Sequence, residues 1–299
     1  MPAEILVTGG GGLLGHGLRK FIPEATFLTR RDGDLRDPAE CERIFQERKP
    51  GRVLHLAACV GGVKYNADHN TELFTDNVQI NLNVLNAAWK SGVKRLVSVL
   101  SSCAFQFYPD HPSTEEDLQA GLPYGGNLGY GFSKRLLDIH TRLLARQYGA
   151  QFSTVTPVTM YGPHDNWDVE DGHVVGALIH KCALARQEKS ALPVWGTGQA
   201  VRQFVFSEDV ARVLVEELNQ FHGPETMIMA GDEGISIQKL AGTIAEVMDF
   251  RGPILYDSQK PEGERMRVLK SGIFGRRYPG FKFTPLKEGL GQTVEEFVS

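Results

Sequence analysis

The chain has 299 residues, of which 41% are apolar and 23% charged, and its formal net charge is -4. That length accommodates one large α/β domain or about two of ordinary size, and the balance excludes a disordered chain and a broadly basic nucleic-acid-binding face. No stretch reaches the ~20 apolar residues of a membrane span and no basic, apolar leader precedes the first strand-like run, so no membrane partner and a cytoplasmic location are expected.

Ile5-Leu-Val is a short apolar run that ends in Thr8-Gly9-Gly-Gly-Gly12-Leu-Leu-Gly15 and leads to the helix-like Leu18–Ile22. Strand, glycine turn and helix in that order form a Rossmann-type start, because glycine lets the turn take positive φ and lets the backbone approach a pyrophosphate. Further strand-like runs occur at Ala25–Leu28, Arg52–Leu56, Arg95–Leu100, Phe152–Pro157 and, more weakly, Val201–Phe206. Apolar residues at helical spacing lie between them, at Leu82–Trp89 and Leu136–Arg146. The alternation predicts an α/β fold with a doubly wound parallel sheet.

After Tyr161-Gly-Pro163 the pattern loosens, with one short helix expected over Val174–Arg186, and the last third reads as a smaller, mixed C-terminal domain. The expected division is a nucleotide-binding domain over 1–163, to which 199–220 returns, and a second domain built from 164–198 and 221–299.

The second strand ends in Thr29-Arg30-Arg31. Two guanidiniums there suit a ribose 2′-phosphate, which favours NADPH. A solvated surface pair is the alternative, and Asp32 and Asp34 keep NAD open. The cysteines, Cys41, Cys59, Cys103 and Cys182, form no CxxC pair, and the nine histidines show no HxxxH or HExxH spacing, so neither a disulfide framework nor a metal is expected.

Ser101 follows the Arg95–Leu100 run, and Tyr130-Gly-Phe-Ser-Lys134 opens the next long helix, with tyrosine and lysine one turn apart. An ammonium one turn away should lower the tyrosine's ordinary pKa of roughly 10, making it a usable acid for a carbonyl oxygen that receives hydride. A surface lysine beside a half-buried tyrosine is the alternative. The order of glycine motif, strand-end serine and YxxxK resembles the extended short-chain dehydrogenase/reductase superfamily, in which those three residues are the catalytic set.

The middle of the chain narrows the resemblance. Ser101-Ser-Cys103, Tyr130-Gly-Phe-Ser-Lys134, Tyr161-Gly-Pro-His-Asp-Asn166, Asp171-Gly-His173-Val, Val194-Trp195-Gly-Thr-Gly198, Arg202-Gln-Phe204, His55-Leu-Ala-Ala-Cys-Val-Gly-Gly62 and Lys260-Pro-Glu-Gly263 together resemble the GDP-L-fucose synthase family. That family's members are NADPH-dependent epimerase-reductases acting on GDP-4-keto-6-deoxy-D-mannose, and relatives usually dimerise through the YxxxK helix and its neighbour. The resemblance implies a catalytic set of Ser101, Cys103, Tyr130, Lys134 and His173, with Cys103 as thiolate base and His173 as the opposing acid. Read without it, Cys103 is a small buried hydrophobe and His173 a helix cap.

The implied cofactor contacts are Gly9, Gly12, Leu13, Leu14 and Gly15 in the turn, Arg30, Arg31, Leu56, Ala57 and Pro157 at strand ends, and Lys134 and His173. The GDP half falls to Lys181, Trp195, Arg202 and Glu262, although Trp195 reads equally as core and Arg202 as surface. Three positions depart from the family: Gln106 where Cys-Ile-Tyr-Pro has proline, Thr159 where Pro-Thr-Asn has asparagine, and Trp167 where Asp-Asn-Phe has phenylalanine. They leave room for a homologue acting on another GDP-4-keto sugar, a heptose or 3-deoxy sugar, and a non-catalytic nucleotide-binding homologue is the remaining alternative.

Overall fold

The computed structural model describes residues 4–106, 108, 111–231 and 233–299, so Met1 to Ala3 ahead of the first strand lie outside it. The first half alternates as read: β1 (Ile5–Thr8), α1 (Leu13–Leu18), β2 (Thr26–Phe27), α2 (Pro38–Arg48), β3 (Arg52–His55), α3 (Val63–Asp68), α4 (Asn70–Lys90), β4 (Arg95–Val99), α5 (Leu128–Tyr148) and β5 (Gln151–Pro157). All residues of β1 and β4 are buried, as expected of parallel strands covered on both faces. Local chemistry sets the ends of the helices. Asp37 caps α2 by accepting from the Ala39 amide, Pro38 follows in the first turn, and α5 stops at Gly149 with φ of 68°.

The rest comprises β6 (Thr159–Tyr161), α6 (Val174–Glu188), β7 (Leu192–Trp195), β8 (Val201–Arg202), β9 (Phe204–Phe206), α7 (Ser207–Asn219), β10 (Met227–Met229), β11 (Ile235–Ser236), α8 (Ile237–Val247), β12 (Ile254–Asp257), β13 (Met266–Arg267), α9 (Phe274–Arg277) and α10 (Leu286–Val298). Six parallel strands form the main sheet in the order β10-β5-β4-β3-β1-β2. From β1 the chain winds outward to β2 and then back past β1 to β3. The winding direction therefore reverses between β1 and β3, whose last residues, Thr8 and His55, are in register. An open parallel sheet of this kind has its binding crevice beyond the strand ends at that point.

Helices α4 and α5 pack together with α2 against α4, while α1 packs on α7, which lies over β3 and β4. A second apolar cluster joins α6, β7, α8 and α10 through Val175, Ile179, Leu192, Val194, Leu240, Ile244 and Leu290. Among the described residues no helix is long and apolar enough to cross a membrane.

Two expectations about the chain's second half need correcting. Val201–Phe206 is not one strand of the main sheet: it splits at Gln203 into β8, in a three-stranded sheet with β11 and β13, and β9, which pairs with β6. Gln203 is buried there because its amide donates to the carbonyls of Gly231 and Leu269 and accepts from the Leu269 N–H at 2.8 Å. Only α7 returns to the main sheet. The sixth strand is Met227–Met229, which the 221–299 assignment had given to the second domain. Leu269, Phe274, Phe281 and Phe283 also pack on the first core, so the C-terminal part crosses back more than once.

Candidate active site

Gly9 adopts φ of +71°, and a Cβ there would come within 2.7 Å of the Ala57 backbone nitrogen. At Gly15 a Cβ would lie 2.6 Å from the Gly10 carbonyl oxygen. The glycines thus press the turn against β3 and α1 against the turn. Gly12 differs, since nothing lies closer than 3.6 Å to an added Cβ, and it opens outward beside Leu13 and Leu14 at the start of α1. Leu56 and Ala57 donate to the Thr8 carbonyl and hydroxyl, and Pro157 ends β5. A cradle tight on the protein side and open outward fits a dinucleotide's pyrophosphate.

The two aspartates that kept NAD open are already engaged. Asp32 accepts from the Thr29 amide and hydroxyl, and Asp34 from Arg36, whose guanidinium is the main cause holding that carboxyl down at about 2. Arg30 donates to Cys59 Sγ at 3.8 Å, while the Arg31 guanidinium has no protein partner among the described residues. An exposed guanidinium pair beside the cradle suits a 2′-phosphate. R30A/R31A is therefore expected to weaken NADPH binding ~10- to 100-fold with little effect on NADH. Fluorescence titration with both cofactors checks this, and equal weakening of the two would remove the assignment.

Ser101, Cys103, Tyr130 and Lys134 come together where β4 meets α5. The Ser101 hydroxyl accepts from the Cys103 amide at 3.2 Å and is near enough to the Tyr130 phenol to act on its pKa. Gly131 permits this approach, because a Cβ on it would lie 2.5 Å from the Cys103 carbonyl oxygen. Lys134 is buried, donates to the Val99 carbonyl at 2.8 Å and sits 5.7 Å from the Tyr130 ring centre.

The expected lowering of Tyr130 by Lys134 is not found. Burial pushes the phenol well above its ordinary value, the charge of Cys103 adds to that, and the Ser101 hydrogen bond opposes both. The ammonium points at the Val99 carbonyl and is itself lowered by burial to about 8. The phenol therefore holds its proton throughout the neutral range, and the lysine's charge is the group that titrates near it.

Behind this site, the Thr8 hydroxyl meets His55 Nδ1 at 2.7 Å, His55 Nε2 meets Asn81 Oδ1 at 3.1 Å, and the Asn81 amide donates to the Ser133 carbonyl. Asn81 presents its oxygen to Nε2, so that nitrogen carries the proton and Nδ1 accepts from Thr8. Burial, and secondly the charge of Lys134, lowers His55 to about 3 and keeps it neutral.

Cys103 is half-buried, and Arg267 Nη1 donates to its sulfur at 3.0 Å. Arg267 also forms an ion pair with the buried carboxylate of Glu264. Its strand β13 pairs in register with β8, bringing Arg267 beside Arg202. Arg202 is buried, bonds the Val201 and Glu264 carbonyls, and is lowered to about 10 by burial first and by Arg267 second.

His173 occupies the N-cap position of α6 without a side-chain capping bond. Its imidazole makes no hydrogen bond among the described residues, and burial lowers its pKa. Its neighbour Asp171 accepts from the Gly62 amide at 2.7 Å, which joins the loop to the segment after β3. Lys181 Nζ lies 4.2 Å from the centre of the half-buried Trp195 ring, and Lys260 approaches the same indole at 5.3 Å. Glu262 accepts from the Thr197 amide and hydroxyl, which ties its loop to the turn after Trp195. Lys181, Trp195, Arg202 and Glu262 therefore form one wall with Lys260 and Arg267.

The model of the NAD dependent epimerase/dehydratase family matches residues 5–230. The GDP-L-fucose synthase of Dictyostelium discoideum is 35% identical, covering 98% of this chain and 95% of that protein. The chain belongs to the NAD dependent epimerase/dehydratase family, in its GDP-L-fucose synthase group. A probable GDP-L-fucose synthase of Drosophila melanogaster is 32% identical over 99% of this chain and 97% of its own length. A GDP-L-fucose synthetase from Naegleria fowleri bound to NADP superposes with a TM-score of 0.91 at 35% identity, over 99% of this chain and 93% of that one.

Within the GDP-L-fucose synthase group the three departures have separate physical outcomes. Gln106 pairs with Pro123, accepts from the Tyr108 hydroxyl at 3.2 Å and lays its amide directly over Gly121, whose φ of +41° and absent side chain make room for it. Trp167 turns toward α10, where it meets Phe297 edge-on at 4.9 Å, and its carbonyl accepts from His180. Its extra bulk is thus taken up by the second apolar cluster. Thr159 starts β6, opposite Phe204.

Arg267 and Lys260 are the site residues that the sequence reading missed. Lys260 stands in a motif the reading had already quoted, whereas Arg267 belongs to a two-residue strand with no periodicity to reveal it.

Proposed function

We propose that this chain converts GDP-4-keto-6-deoxy-D-mannose to GDP-L-fucose by 3,5-epimerisation and NADPH-dependent 4-reduction. The observation that carries the reading is a thiol, in contact with a guanidinium, on the same turn as a serine whose hydroxyl acts on the tyrosine of YxxxK. A reductase alone needs no such thiol. Inversion next to a ketone does need a base.

The C4 ketone makes the C3 and C5 hydrogens acidic. As Cys103 takes a proton, the C–H bond breaks, an S–H bond forms and the electron pair moves onto the C4 oxygen as an enolate. His173 returns a proton on the opposite face, and the carbonyl re-forms with the centre inverted. Ser101 and Tyr130 hydrogen-bond the C4 oxygen while it carries negative charge. NADPH, held by the glycine turn with Arg30 and Arg31, supplies the hydride for C4. Tyr130 then gives its proton to the C4 oxygen, and Lys134 supports the phenolate that remains.

Lys181, Trp195, Arg202 and Glu262 are assigned to the GDP half, with the substrate part of the chain formed by 164–198 and the portions of 221–299 outside the main sheet. In a mildly acidic protein the diphosphate must be met by local cations, and the wall of Lys181, Arg202 and Lys260 supplies them. Incubation with the keto sugar and NADPH tests the proposal. It predicts loss of NADPH absorbance together with GDP-L-fucose, and reduction without inversion at C3 and C5 would overturn it.

A homodimer is part of the same reading. Leu82, Leu136, Ile139 and Leu143 are 43%, 41%, 39% and 55% exposed on the paired helices α4 and α5, around a shallow apolar cavity. An apolar face of this kind fits a two-fold partner. L143E is expected to halve the mass seen by light scattering, and an unchanged mass would place the interface elsewhere. The four cysteines are all free, which supports a reducing, cytoplasmic setting.

A further inference from the structure

We propose that Arg267 is the positioning residue that holds Cys103 in its charged, proton-accepting form. This rests on the reading of Cys103 as the carbon-acid base and names the group that makes the sulfur fit for it.

The contact itself comes first. Arg267 Nη1 stands 3.0 Å from Cys103 Sγ, against 3.8 Å for the pair of Arg30 with Cys59, so this guanidinium is in direct hydrogen-bonding contact with the sulfur. Anchoring comes second. The other terminal nitrogen is ion-paired with Glu264, a buried carboxylate, and the Arg267 side chain is only 15% exposed, so the guanidinium is not free to swing into water. Its Nε is enclosed and has no partner. A guanidinium confined in this way has lost hydration, and a neutral thiol is too weak an acceptor to replace it. A thiolate replaces it with a charge-assisted bond, and the sulfur gains the counter-charge that a nucleophilic or basic cysteine needs.

The other groups around the sulfur do not take this place. Arg202 donates to two backbone carbonyls, and no hydrogen bond joins it to the sulfur. Lys134 donates to Val99, and Tyr130 is a phenol that burial keeps neutral. Glu264 is ion-paired with the other terminal nitrogen of Arg267, and Glu262 accepts from the loop after Trp195. Because β13 runs in register with β8, the residue that charges the base and the arginine assigned to the diphosphate sit side by side on one ribbon.

The test uses the free full-length protein with iodoacetamide, following alkylation of Cys103 against pH by peptide mass spectrometry. In R267Q the midpoint of the profile is expected to rise by about one unit, so that at about pH 7 alkylation slows roughly tenfold, whereas R267K stays within about threefold of the wild type. A merely structural Arg267 would change the plateau and leave the midpoint in place, and that result would overturn the proposal. Should R267Q not fold by circular dichroism, the wild-type profile decides, because a midpoint no lower than that of a free cysteine peptide also overturns it. Sugar and cofactor are absent from this assay. A midpoint that obeys Arg267 in an enzyme that exchanges no C3 or C5 proton sinks only the epimerase reading, and exchange with a midpoint indifferent to Arg267 sinks only this one.

Discussion

Cys103→Ser will abolish exchange of the sugar's C3 and C5 protons, by about a thousandfold or more, while NADPH binds as before. The substitution is nearly isosteric and leaves the Ser101 hydroxyl free to accept the residue 103 amide, so the turn on α5 keeps its form. What changes is the acid-base chemistry. A hydroxyl is a far weaker acid than a thiol, and contact with Arg267 cannot make it a competent base near neutrality. Deuterium incorporation from heavy water, read by mass spectrometry on the recovered sugar, measures the loss, and fluorescence titration measures cofactor affinity. Undiminished incorporation would mean that the base lies elsewhere on the wall.

The second large effect is expected at Tyr130. Tyr130→Phe removes both the proton for the C4 oxygen and one of its two hydrogen bonds, and NADPH oxidation should fall ~100- to 10,000-fold. Exchange at C3 and C5 should fall much less, because Ser101 still reaches the enolate oxygen. The pH dependence follows from Lys134 at about 8. Below that value the ammonium is charged and supports the phenolate formed on proton transfer; above it the charge is lost, so single-turnover reduction in the wild type declines as pH rises through about 8. A rate that stays level from neutrality to well above that value would show that Lys134 takes no electrostatic part.

The nucleotide turn was legible because each glycine answers a local steric demand that can be read from strand, turn and helix in order. The grouping of Ser101, Cys103, Tyr130 and Lys134 was legible for the same reason, since β4 and α5 are adjacent and Gly131 in the motif itself permits their contact. Arg267 was not, because its partner lies 164 residues away and meets it through a strand only two residues long. Met227–Met229 escaped because three buried residues carry no alternation to distinguish them from loop. The direction of the Lys134 ammonium depended on where Val99 presents its carbonyl, so spacing alone overstated its pull on Tyr130.

The chain from Thr8 through His55 and Asn81 to Ser133 has one more consequence. It bolts the first strand, from which the glycine turn springs, to the helix that carries Tyr130, and the bolt is an uncharged imidazole. An unfolded chain would bind a proton there near pH 6.5, whereas the folded one resists until about 3. That difference contributes on the order of 5 kcal/mol, fully present above pH 6.5 and progressively lost as acid is added. Acidification thus strains a single fastening shared by both halves of the machinery, and the grip on the dinucleotide and the alignment of the proton donor are set to fail together.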